Sequence, residues 1–289
     1  MNICEVLIIS EVYYKYLKEF VEYYLDKLKF NDIIIIDVND DENILIDYID
    51  NNLIKYKDNL IIYRTQEKRE TIQEYQCNEY KNVFIKFIDN YDWFAYFDVD
   101  EYLELKEDKT IQDYLSKECF NDYNTILVNW LIYDDNDLIY YEDKPLQERF
   151  TRKRYDMMFD DSMKINFIVK SIIRGRRNNK NNSIYYYFDS THILFTDAEN
   201  MFNKTCNNCG QQINDIFRGI GIDFNENLAV LKHYYFKTLE EYLDQYVDKN
   251  KTIYNQYMKF DVCNFFNYNR NYLTKEKLKY ILKYYIDLL

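Results

Sequence analysis

A chain of 289 residues, 47% hydrophobic and 30% charged, has enough apolar material for a substantial core and lies outside the disordered and low-complexity classes. Its formal net charge of −13 argues against a general nucleic-acid binder, which needs basic surface to neutralise phosphates. No apolar run approaches the roughly 20 residues of a membrane span, so no transmembrane segment is expected. The 33 Tyr and 19 Phe, against four Gly and one Pro, belong to a bias toward Asn, Lys, Ile and Tyr along the whole chain. Aromatic residues therefore stand where Leu is usual and do not by themselves mark a site.

Residues 4–9 read as a buried strand. Leu17, Phe20, Val21, Tyr24, Leu25 and Leu28 then recur at helical spacing. Residues 33–36 are a second β-branched run, closed by Asp37. A helical pattern over 40–56, a strand at 60–63 and a long helix over 67–90 lead to a strand at 93–97. This alternation predicts a mostly parallel sheet with helices on both faces. Thr110 with Asp113 predicts a capped helix to about residue 117, and 125–133 a further strand containing Asn129 and Trp130. Residues 134–230 are less regular, with a basic cluster at Arg149, Arg152, Lys153 and Arg154 and a polar loop at 178–182. Strand character returns at 228–236, and Thr238 with Glu241 forms a capping box for the next helix. The last segment, 274–289, places Leu278, Ile281, Leu282, Tyr285, Ile286 and Leu289 on one face. Packing on the body of the protein is the first reading of that face, ahead of dimerisation and membrane association.

Residues 232–289 carry ten Lys or Arg and seven Asp or Glu, a mildly basic tail read as solvated surface. The six cysteines (Cys4, Cys77, Cys119, Cys206, Cys209, Cys263) are scattered, and the chain opens directly on a strand. A cytosolic protein with reduced thiols is the expectation. Cys206-x-x-Cys209 has the spacing of half a zinc site without a second pair, and a structural or incidental role is the preferred reading.

The chemistry concentrates after residue 93. The apolar run Trp93-Phe94-Ala95-Tyr96-Phe97 ends in Asp98, Asp100 and Glu101. Open α/β sheets place their ligands at the carboxyl ends of such strands. If the chain stays extended, Asp98 and Asp100 point the same way, and they repel unless a cation lies between them. Hard oxygen donors favour Mg2+ or Mn2+, which in turn favour phosphate oxygens. The same carboxylates also read as the solvated start of a loop.

With the Ser10-Glu11 turn, Asp37, Gln76 and Asn78, Asp92-Trp93-x-x-Tyr96-Phe97-Asp98-Val99-Asp100-Glu101-Tyr102, Asn129-Trp130, Glu148-Arg149-Phe150, Lys170-Ser171-Ile172-Ile173-Arg174 and Lys232-His233-Tyr234-Tyr235-x-Lys237-Thr238-x-Glu240-Glu241, the chain resembles GT-A type glycosyltransferases, close to the family 2 and family 92 groups. The resemblance covers residues 1 to about 250. It implies an α/β GT-A fold with a mostly parallel central sheet flanked by helices, a catalytic domain over 1–236 and a helical extension over 237–289. It implies a metal-dependent, inverting transfer of a sugar from a nucleotide-diphosphate donor to a glycan or lipid-linked acceptor, with no nucleic-acid partner and with an oligomer left open. Glu11, Asp37, Gln76, Asp98 and Lys237 would face the donor. Asp98, Asp100 and His233 would hold Mn2+ or Mg2+, and an imidazole nitrogen among oxygens suits Mn2+.

Inversion needs one base for the acceptor hydroxyl. The carboxylates on offer are Glu148, preferred for its motif, and Asp134 or Asp135 after the Trp130 strand. Glu101 would orient the sugar or a metal-bound water. Lys170, Arg174 and Lys237 read either as diphosphate contacts or as surface charges, and His192 as structural. Three positions depart from the family pattern: Ser10 in place of an amide, Asp37-Val38-Asn39-Asp40 in place of Asp-Asn-x-Ser, and Asp134 in place of a small residue. Two other readings compete. One is an Asp-x-Asp phosphatase, disfavoured by Glu101-Tyr102 where that class needs Ser or Thr. The other is a non-catalytic nucleotide-sugar or glycan-binding protein built on the same fold.

Overall fold

A computed structural model describes residues 1–64, 72–156, 165–176, 187–188, 192, 194–195, 204–213, 223–247 and 274–286. The expected polar loop at 178–182, Cys263 and residues 287–289 lie outside the described residues. The chain forms two compact units, one of Met1–Trp130 with Asn166–Lys232, the other of Leu131–Ile165 with His233–Leu289. The boundary expected at 236/237 falls inside the second unit. Among the described residues, no helix is long and apolar enough to cross a membrane.

The first unit opens with β1 (Ile3–Ile9), buried along its whole length as a strand covered on both faces must be. α1 (Tyr14–Val21) buries Leu17, Phe20 and Val21, and a π turn over Glu22–Lys27 carries the same stripe on to Tyr24 and Leu25. β2 (Asp32–Asp37), α2 (Glu42–Asn52), β3 (Leu60–Tyr63), α3 (Ile72–Phe87) and β4 (Trp93–Tyr96) complete the alternation. α2 starts at Asp41, whose carboxylate accepts from the Asn43 amide at 2.9 Å, and it ends earlier than expected in 3-10 turns over Ile54–Asn59. The four strands are parallel in the order β3-β2-β1-β4, with Val6 opposite both Ile34 and Tyr96.

Beyond β4 the pairing reverses. β5 (Glu101–Leu105) follows after only a short turn and does not pair with β4; it lies at the opposite edge of the sheet from β3. α4 (Ile111–Leu115) is capped by Thr110, whose hydroxyl accepts from the Asp113 amide at 3.1 Å. β6 (Thr125–Tyr133) runs from the first unit into the second, which then contains α5 (Leu146–Arg149) and β7 (Lys153–Arg154). Back in the first unit, β8 (Val169–Arg174) lies antiparallel between β4 and β6, with Ile173 opposite Phe94 and Ile172 opposite Ile126. A small hairpin of β9 (Tyr187–Phe188) and β10 (Leu194–Phe195) precedes β11 (Thr205–Asn207), which is parallel to β6. With β12 (Ala229–His233), the sheet order from β4 onward is β4-β8-β6-β12-β5. The fold is α/β as expected, with a parallel half, β3-β2-β1-β4, that carries the alternation, beyond which β8 is antiparallel to both β4 and β6 while β11 is parallel to β6. β5, β7, β8, β9, β10 and β11 are strands that the sequence pattern does not announce.

Alternation along β1 divides the core. Cys4, Val6 and Ile8 pack with Tyr80, Val83 and Phe84 of α3 and with Phe94 and Tyr96 of β4. On the other face Tyr24 meets Phe20, Phe97 and Tyr102, with ring centroids 4.5, 6.0 and 6.4 Å away.

In the second unit, Ile132 and Tyr133 pair antiparallel with Arg154 and Lys153. α6 (Leu239–Val247) starts at the predicted capping box, in which the Thr238 hydroxyl accepts from the Glu241 amide at 3.2 Å and the Glu241 carboxylate from the Thr238 amide at 3.1 Å. α7 (Lys275–Ile286) corrects the sequence reading. Ile281 is buried, but Leu278 is 40% and Leu282 63% exposed, whereas Lys277 is fully buried. Its ammonium donates to Asp135 at 2.7 Å and to Asp137 at 3.1 Å, so a charge pair rather than the apolar stripe sets how this helix sits within its unit.

Candidate active site

The carboxyl end of β4 is a built turn and not an extended chain. The Glu101 amide donates to the Asp98 carbonyl at 2.9 Å, which places Val99 and Asp100 at the corners. The period-2 alignment of Asp98 with Asp100 therefore does not apply. The Asp98 amide donates to Glu101 Oε2 at 2.9 Å, and the Phe97 amide to Glu5 Oε1 at 2.8 Å. Glu5 and Glu101 are fully buried, and Asp100 is 8% exposed. The cation that these charges call for comes from the chain itself. Lys170, buried on β8, donates from Nζ to Asp98 Oδ2 at 2.8 Å and lies 3.7 Å from Glu101 Oε2.

Burial pushes the Glu101 carboxyl well above the usual range, while the Lys170 ammonium opposes the shift. Burial also pushes Glu5 well up, against the Phe97 amide bond. For Lys170, burial acts to lower the pKa, and Asp98 and Glu101 outweigh it, so the ammonium keeps its proton. The π turn supports the far side of the acidic turn: Tyr23 Oη donates to the Leu103 carbonyl and Tyr24 Oη to the Glu101 carbonyl, both at 2.8 Å, and Tyr24 Oη accepts from the Leu103 amide at 3.1 Å. These bonds tie down the backbone of an edge strand.

A second polar cluster joins the carboxyl ends of β1 and β2. Asp37 is buried; Asn39 donates to it from its amide at 3.1 Å and from Nδ2 at 2.6 Å, and Arg64 is its ion-pair partner. Asn39 Nδ2 also meets Tyr14 Oη at 2.6 Å, and Asn39 Oδ1 accepts from the Glu11 amide at 2.9 Å. Glu11 itself is exposed. Glu11 and Asp37 are thus linked through Asn39. Gln76 lies on α3 and donates to Tyr80 Oη at 2.9 Å.

The remaining expected site residues belong to the second unit. His233 is buried at the end of β12, and Lys237 is buried with φ at +53°, a left-handed conformation uncommon outside glycine. Glu148 is exposed on α5, while its neighbour Arg149 pairs in bidentate fashion with buried Glu241 at 2.7 and 3.1 Å. Asp135 is buried against Lys277; burial raises its pKa and Lys277 opposes the rise. Asp134 is held by Arg152 at 2.6 Å. The three arginines of the basic cluster thus form ion pairs inside their own unit, with Arg154 on Asp156 at 2.9 Å, while Lys153 is exposed.

Arg174 is neither a free surface charge nor a diphosphate contact as placed. It donates to the carbonyls of Tyr123 and Phe120, both at 3.0 Å, and lies 4.2 Å over the Trp93 ring. His192 packs edge-on against Trp130 with ring centroids 5.1 Å apart. Cys206 is buried with Sγ 3.7 Å from the Thr125 carbonyl, and Cys209 Sγ approaches Asn208 Oδ1 at 2.8 Å.

Sequence reasoning missed Glu5, Tyr24 and Arg64. Glu5 was visible as the one acid in an apolar strand. Tyr24 was hidden among 33 tyrosines, and nothing in the sequence sets Arg64 apart.

Among the described residues, no group of three or more His, Cys, Asp or Glu side chains is placed to hold a metal ion. A preformed protein cage is therefore not what the acidic turn offers. Its hard carboxylate oxygens fit a Mg2+-like ion, which takes one or two carboxylates and completes its shell with water and phosphate oxygens.

No protein-family model matches the sequence, and no curated protein is similar to it. Among solved structures, the chain is similar to S. aureus TarS 1-349, at 14% identity over 71% of this chain and 54% of that one, with a TM-score of 0.38. It is similar to GalNAc-T7 with UDP, GalNAc and Mn2+, at 12% identity over 94% and 54%, with a TM-score of 0.43. It is also similar to the mannosyltransferase PcManGT from Pyrobaculum calidifontis in complex with GDP-Man and Mn2+, at 7% identity over 43% and 34%, with a TM-score of 0.30. The chain spans about half the length of TarS 1-349 and of GalNAc-T7.

Proposed function

We propose that this chain is a GT-A type glycosyltransferase that takes a nucleotide-diphosphate sugar as donor and transfers the sugar, with inversion, to a glycan or lipid-linked acceptor. The observation that carries this reading is the acidic turn from Asp98 to Glu101 at the carboxyl end of β4, on the same sheet edge as the Glu11–Asn39–Asp37 cluster that closes β1 and β2. Carboxyl ends of adjacent parallel strands are where α/β sheets take nucleotides. In this reading the base and ribose lie at the β1 and β2 ends and the diphosphate lies at the turn.

A divalent cation bound there supplies charge neutralisation for the departing diphosphate. Asp98 and Asp100 are its proposed oxygen ligands, with water and diphosphate oxygens completing the shell. Asp98 is held in place by Lys170, and the turn by Tyr23 and Tyr24. For the acceptor base, Glu148 comes before Asp135, because Glu148 is open to solvent whereas Asp135 is tied to Lys277.

A thermal-shift screen of UDP- and GDP-sugars with and without Mn2+ tests the assignment, since a ligand that binds only the folded state raises its apparent stability. One of these donors is expected to stabilise wild type in the presence of Mn2+, and Asp100→Asn is expected to abolish that stabilisation while melting like wild type without ligand. Equal donor binding by Asp100→Asn refutes the metal assignment. Tight donor binding with neither hydrolysis nor transfer identifies a nucleotide-sugar-binding protein instead.

A further inference from the structure

The turn carries its own cation, and that has a consequence for the order in which ligands bind. Lys170 is 1% exposed, its Nζ lies 2.8 Å from Asp98 and 3.7 Å from Glu101, and it is anchored in β8 opposite Val128 of β6. It cannot swing out to solvent as a surface lysine does. An ammonium fixed at that distance offsets much of the attraction that Asp98, whose side chain is 35% exposed, and buried Glu101 exert on a second cation. Only a ligand that brings negative charge restores the attraction.

Resting on the transferase reading, we infer that Lys170 is a positioning residue that makes capture of the divalent ion conditional on the diphosphate: the free ion is kept off the acidic turn, and the ion and the diphosphate enter together. Lys170 makes no contact with the sugar or the reacting atoms in this role. It fixes the orientation of Asp98 and sets the charge of the turn.

The test follows Mn2+ directly, by loss of its free-ion electron paramagnetic resonance signal, in the whole chain. Wild type is expected to take up Mn2+ weakly on its own and far more tightly when UDP, GDP or inorganic pyrophosphate is present. Lys170→Met is expected to bind Mn2+ alone on the order of tenfold more tightly than wild type, because Asp98 and Glu101 then lack their counter-charge. Lys170→Gln, which keeps a hydrogen-bond donor for Asp98, gives the same result should the Met variant fail to fold. Lys170→Arg keeps the charge and behaves as wild type, which a purely structural role does not require.

The inference is overturned if the Met or Gln variant binds Mn2+ alone no better than wild type, or if wild type binds Mn2+ equally well with and without the diphosphates. Mn2+ uptake with pyrophosphate but with neither nucleotide, together with the gain in Lys170→Met, upholds the role of Lys170 and removes the transferase reading. Uptake with a nucleotide and no gain in the variants does the reverse.

Discussion

Glu5 and Lys170 are two ionisable side chains that the chain buries completely or nearly so, and they answer different physical demands. Lys170 has a carboxylate at hydrogen-bond distance and stays charged. Glu5 has one oxygen on the Phe97 amide, while its other oxygen, Oε2, has no hydrogen-bond partner among the described residues. Burial raises its pKa, so the folded chain holds a proton on Glu5 that the unfolded chain gives up at lower pH. The contribution of Glu5 to stability is therefore complete below the ordinary glutamate range and declines as pH rises toward its folded pKa. Glu5→Gln keeps the acceptor for Phe97 and removes the proton. Urea unfolding at about pH 5 and about pH 8 should show wild type losing more stability than Glu5→Gln across that interval. Parallel pH profiles for the two proteins would show that Glu5 titrates normally in the folded state.

At the scale of elements, local signals and long-range pairs work together at α6. Thr238 and Glu241 form the capping box that their spacing predicts, and the same Glu241 carboxylate receives the buried Arg149 guanidinium from α5. Both side chains are almost fully buried, at 2% and 1% exposure. Removing one partner leaves an uncompensated buried charge, so Arg149→Met is expected to destabilise the second unit by about 3–5 kcal/mol. The double variant Arg149→Met/Glu241→Leu should recover part of that loss, because no charge then remains buried alone. Chemical denaturation of the single and double variants decides it, and a double variant that is no more stable than Arg149→Met contradicts the account. α7 teaches the complementary lesson. Its apolar spacing predicted which face would be covered, but the ion pair of Lys277 with Asp135 and Asp137 turned a charged position inward and left Leu278 and Leu282 exposed.

At the scale of the molecule, the two units are interleaved in sequence: the chain passes between them at 130/131, 165/166 and 232/233. The second unit is stitched from 131–165 and from the C-terminal residues, with Arg149 on Glu241 and Asp135 on Lys277 as its buried charge pairs. A chain ending at residue 236, the boundary that the family resemblance suggested, loses Glu241 and Lys277 together. Residues 131–165 should then become sensitive to limited proteolysis, with cleavage sites read by mass spectrometry, while 1–130 stays protected. Equal protection of 131–165 in the full and shortened chains would show that this segment does not need the C-terminal helices.

What the sequence determined by itself is local. The strands of the parallel half, the stripe of α1, the caps at Thr110 and Thr238 and the acidic end of β4 are set by spacings of a few residues, and short-range hydrogen bonding and side-chain periodicity act over that distance. Which charges meet is set by tertiary packing. Lys170 lies 72 residues from Asp98, Arg149 lies 92 from Glu241, and Lys277 lies 142 from Asp135. Nothing within a helical or strand period of any of them encodes its partner. A buried ion pair is stable only when both members leave water together, so its existence depends on the packed sheet and helices that bring distant segments into one dry place.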